Sequence, residues 1–67
     1  MTNYVETHRF HCSNAAGRTF TVIEQMRTSR FSKNPRTDYV TEDGDIAERL
    51  DDGSFLLLVS NEVIRTS

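Results

Sequence analysis

Two segments near the start of the chain alternate apolar and polar residues without helical spacing. These are residues 3 to 12, NYVETHRFHC, and 18 to 27, RTFTVIEQMR, both rich in aromatic and β-branched residues, and both read as strands. Strict alternation puts Tyr4, Glu6, His8, Phe10 and Cys12 on one face of the first. It puts Phe20, Val22, Glu24 and Met26 on one face of the second, with Ile23 opposite. The intervening SNAAG, with Gly17 free to take a positive φ, predicts a hairpin. Residues 28 to 37, TSRFSKNPRT, are polar, hold the only proline and have no period, which predicts a long loop around Phe31.

Beyond that loop, short apolar runs alternate with turn signals: DYVT then EDGD, IAERL then DDG, SFLLLVS then NE, and finally VIRT. A spacing of about nine residues between Asp-Gly-type turns predicts a meander of hairpins. A short helix over residues 45 to 52 competes for one of these runs, with Asp45 as N-cap, Glu48 completing a capping box and Gly53 ending it. So short a helix is marginal and the neighbouring turns already specify hairpins, so a strand is expected there.

The run Phe55 to Val59 breaks the alternation. As a strand it points Phe55, Leu57 and Val59 one way and Leu56 and Leu58 the other, so both faces need cover. Leaving two leucines in water forgoes roughly 3 to 6 kcal/mol. A single core in a chain of 67 residues rarely supplies more than about 3 to 5 kcal/mol without a disulfide, metal or partner. Three arrangements would cover them: a barrel with the long loop folded over its outside, a helix laid on the second face, or another chain, identical or different.

Length allows one domain over residues 1–67, with no internal repeat or low-complexity tract. The lone cysteine, Cys12, excludes an internal disulfide and favours a reducing cytosol. No stretch resembles a signal peptide or approaches the ~20 apolar residues of a membrane span, so a cytoplasmic protein is expected. The net charge of -2 hides an asymmetry: residues 1 to 37 hold six basic and two acidic residues, and residues 38 to 67 hold two basic and eight acidic. Folded together, the halves complement each other.

Candidate chemistry is sparse. His8, His11 and Cys12 lie close in sequence, but alternation puts His11 on the opposite face, and a structural zinc site needs four ligands. No metal and no cofactor are expected. The acids Glu42, Asp43, Asp45, Asp51 and Asp52 lack the spacing of a calcium loop and suit turns instead. Nucleophile, base and oxyanion stabiliser are not found together, so no enzyme is expected. In the loop over residues 27 to 36, Arg27, Arg30, Lys33 and Arg36 surround Phe31, a minimal kit for single-stranded nucleic acid. A sequence pI near 5.5 is a poor footprint for it.

The spacing of T-x-D-G at Thr41 to Gly44, DDG-x-F at Asp51 to Phe55 and E-x-x-R at Glu62 to Arg65 resembles that of short bacterial proteins of unknown function. The resemblance covers residues 19 to 25 and 39 to 65. It implies a small β-domain and no catalytic residues.

The sequence therefore predicts an all-β domain of five or six antiparallel strands, as a small SH3-like partly closed barrel or a bent meander. Its core is expected to hold Phe10, Phe20, Val22, Tyr39, Ile46, Leu50, Phe55, Leu57 and Val59. The leading functional expectation is a non-enzymatic protein-interaction module, with Leu56 and Leu58 as the partner-binding residues and a second copy as one candidate partner. Nucleic-acid binding through the basic loop is the alternative.

Overall fold

The structure, a computed structural model, describes residues 2–29 and 36–66. Six strands follow one another: β1 (Thr2–Ser13), β2 (Thr19–Ser29), β3 (Arg36–Thr41), β4 (Ile46–Arg49), β5 (Phe55–Leu57) and β6 (Glu62–Thr66). All neighbours are antiparallel, and the sheet closes into a barrel when β6 meets β1 at Cys12↔Thr66 and Ser13↔Arg65. Among the described residues no helix is long and apolar enough to cross a membrane.

The Asp-Gly turns are where the sequence puts them. Gly44 and Gly53 take φ of 92° and 87°, a left-handed conformation that a side chain disfavours, and their N–H groups donate to Thr41 and Leu50 carbonyls at 2.9 and 3.0 Å. Asn61, one of the few residue types that tolerates that region, turns the chain into β6 with φ of 58°. Residues 46–49 form a strand, not a helix.

The core comprises Cys12, Val22, Ala47, Phe55, Leu57 and Ile64, with Phe10, Phe20 and Tyr39 packed against it. Three expected core residues lie outside. Val59 is 76% exposed, because β5 ends at Leu57 and Val59 falls in the following turn. Ile46 is 63% exposed, because its neighbour Ala47 takes the inward position of β4. Leu50, at the turn after β4, is half-buried.

The expected loop is shorter than its polarity suggests. β2 continues to Ser29 and β3 begins at Arg36, in a ladder running from Val22↔Thr41 to Arg27↔Arg36. The strands β1, β2 and β3 thus extend past β4 and β6 as a three-stranded arm, and the molecule measures 42 × 20 × 20 Å. Its long axis matches a twelve-residue strand such as β1 at about 3.4 Å per residue.

A bulge separates arm from barrel. Glu6 pairs with Gln25 but His8 with Glu24, so Thr7 is the extra residue. The bulge switches which residues face inward. His8, Phe10 and Cys12 share the barrel side with Val22 and Phe20, whereas Tyr4 and Glu6 stand on the outer side, opposite Arg27 and Gln25. The single face expected for all five β1 residues is corrected by this slip.

Candidate interaction surface

Turn geometry sets the outer face of the barrel. Thr41 and Ala47 are buried, so Val40 and Ile46, their neighbours on β3 and β4, point outward. Ile23 stands opposite Val40 and Val40 opposite Ile46, while the Leu58 N–H donates to the Ile46 carbonyl at 3.1 Å. An apolar row therefore crosses the sheet from Ile23 through Val40 and Ile46 to Leu58. Beside it, Leu56 pairs with Val63, which is 39% exposed. Ordinary β-branched and leucine side chains of this kind are normally covered when they form a continuous line.

The row runs into an open groove of about 660 Å³ where β3 and β4 part. Their pairing stops at Tyr39↔Ala47. One further step in that register would set Asp38 opposite Glu48, and like charges directly opposite destabilise a ladder. The strands diverge there, and Val40, Ile46 and Leu58 line the groove with Arg27, Asp38, Glu48 and Arg49. Asp38 lies 3.6 Å from Arg27, a half-exposed pair of small energetic value. Glu48 has no ion-pair partner among the described residues.

Under the groove, on the inner face, Arg49 closes the end of the core. Its guanidinium lies 4.8 Å from the Phe10 ring centre, 5.5 Å from Phe55 and 5.9 Å from Tyr39. Rings facing a cation attract it through their quadrupoles. Glu24 ties this cluster to the bulge: it accepts from the Thr7 hydroxyl at 2.7 Å and from the Tyr39 hydroxyl at 3.0 Å, with Arg49 3.9 Å away. The Thr7 hydrogen bond, helped by Tyr39 and Arg49, holds the Glu24 carboxyl below the usual range against partial burial, which acts the other way.

Of the two leucines expected to bind a partner, Leu58 is 52% exposed and belongs to the outer row, while Leu56 is half-buried beside Val63 and opposite Glu48. Of the expected nucleic-acid contacts, Arg27 and Arg36 face each other across β2 and β3. Arg30, Phe31 and Lys33 lie outside the described residues. Cys12 is buried, and burial pushes its thiol up, away from the reactive thiolate. The His8 ring lies tilted by 59° against Phe10, with centres 4.5 Å apart. Among the described residues no three His, Cys, Asp or Glu side chains converge to hold a metal ion.

Alternation along each strand separately misses Ile23, Val40 and Ile46 as a unit. Pairing outward from the three-residue turn at 42–44 finds two of them, since Val40 and Ile46 each lie two residues from it and share a face. The chain matches no protein-family model, no curated protein and no solved structure.

Proposed function

We propose that this protein is a non-enzymatic protein-interaction module that meets its partner through the outer apolar row and the adjoining groove. The carrying observation is that Ile46 and Leu58, 63% and 52% exposed, lie side by side against Val40 in one concavity. Covering such side chains fully is worth about 1.5 to 3 kcal/mol each, a gain this small fold leaves unused on its own. The buried lone cysteine suits a reducing cytosol. Single-stranded nucleic acid is the weaker reading, because Arg27 shares its charge with Asp38 and the groove sets two acids beside two arginines.

The test is the double variant Ile46→Lys and Leu58→Lys. A row kept for a partner contributes little to the isolated fold, so stability in urea should change by less than about 1 kcal/mol. Association, read by sedimentation equilibrium for a second copy and by titration for another protein, should be lost. A destabilisation of several kcal/mol would mean that the monomer itself covers the row, and would remove the reading.

A further inference from the structure

We propose that a second copy of this chain pairs with the free edge of β1, antiparallel and about a twofold axis, with Glu6 of each copy opposite Arg9 of the other. The contact lies away from the outer apolar row and goes beyond the interaction reading above.

The edge is long. β2 pairs with β1 from Thr2 to Ser13, but β6 reaches only Cys12 and Ser13. Among the described residues no strand flanks the other side of β1 from Asn3 to Arg9, and each residue in that span is exposed. The main chain faces outward there at three positions. The Asn14 N–H donates to the Arg18 carbonyl across the hairpin, so by alternation Cys12, Phe10 and His8 turn toward β2 and Arg9 turns away. On β2 the Thr21 carbonyl accepts from Glu42 on the β3 side, so Met26 turns toward β1. Its partner Val5 turns to meet it, which leaves Tyr4 and Glu6 facing outward. A row of such groups is a template for another strand.

The bulge and the charges say which strand. Thr7 sets the outward positions Glu6 and Arg9 three residues apart, whereas a regular strand repeats every two and falls out of step on passing it. A second β1 carries the same extra residue, and a twofold axis lays one bulge across from the other. Glu6 and Arg9 stand on one face, 2.8 Å apart and 45% and 46% exposed, so both remain accessible to the opposite charge on a neighbouring copy. The registers on either side oppose Glu6 with Glu6 or Arg9 with Arg9, and like charges directly opposite destabilise a ladder. Bulges and charges ordinarily deter edge pairing; on this edge they exclude other strands and leave one register of the chain with itself.

The experiment combines sedimentation equilibrium with amide hydrogen exchange on the intact chain at rising concentration. A monomer–dimer equilibrium is expected, with the Tyr4, Glu6 and Arg9 amides gaining protection as the dimer fills. Glu6→Arg alone and Arg9→Glu alone should each weaken the dimer about tenfold, and the double reversal should restore it. Both side chains are exposed, so urea midpoints check that the variants keep the fold. The variant Ile46→Lys and Leu58→Lys removes association through the outer row, so the β1 dimer should survive in it. Loss of all self-association in that variant would overturn the proposal, as would a double reversal as weak as the single ones. A chain that stays monomeric at about 1 mM, or a dimer whose protected amides lie elsewhere, would overturn it too.

Discussion

The arm continues three of the barrel's six strands, yet the two regions solve burial differently. Within the barrel, Val22, Phe55 and Ile64 are wholly buried and each strand is flanked on both sides. Along the arm, Val5 and Met26 pair directly across β1 and β2 yet remain 57% and 39% exposed, and the outer edges of β1 and β3 run past their neighbours. The β2–β3 ladder is continuous from one region into the other; apolar cover is not. Backbone pairing can thus extend a strand well beyond the point where a core supports it.

The sharpest way to break this comparison is to remove a large side chain from each region. Phe55→Ala should cost about 3 to 5 kcal/mol in urea unfolding, whereas Val5→Ala should stay within about 0.5 kcal/mol. Equal costs would mean that the arm is packed as the barrel is. Next in size is Gly44→Ala. A Cβ there meets nothing within 4 Å, so the expected loss of about 1 to 2 kcal/mol is a backbone effect of the left-handed φ alone. Arg49→Ala should follow at about 1 kcal/mol, with Arg49→Lys recovering only part, since a compact ammonium cannot lie flat against three rings.

The smallest effect probes the junction between the two regions through pH. Folding depresses the Glu24 pKa, so its contribution is whole above the ordinary glutamate value of about 4.3 and is lost as pH falls through the folded value. Glu24→Gln should flatten that part of the acid limb in a series of urea midpoints. Thr7→Val should do the same by removing the strongest hydrogen bond to the carboxylate. An unchanged acid limb in both variants would separate the bulge from barrel stability.

Much of the architecture was legible in the residues themselves. The SNAAG hairpin, both Asp-Gly turns and the strand character of IAER follow from local chemistry, and Phe10, Val22, Tyr39, Phe55 and Leu57 were placed correctly at or against the core. Errors arose where a local pattern depends on a distant partner. Nothing in YVETHRF announces that Thr7 is an extra residue, because a bulge exists only relative to the facing strand. Likewise Val59 looks like the end of a strand until Asn61 turns the chain, and Ile46 looks like core until Ala47 takes the inward place. The candidate surface was half legible: Leu58 was singled out, but its neighbours across the sheet emerge only from the register.

The narrow seam between β1 and β6 also bears on how the molecule forms. Every other pairing joins strands adjacent in sequence, so hairpins can zip in succession at little loop-closure cost. Among the strand pairings of the described residues, only Cys12↔Thr66 and Ser13↔Arg65 join segments distant in sequence. Until that last pairing is made the ribbon is an unrolled meander with its greasy side wet.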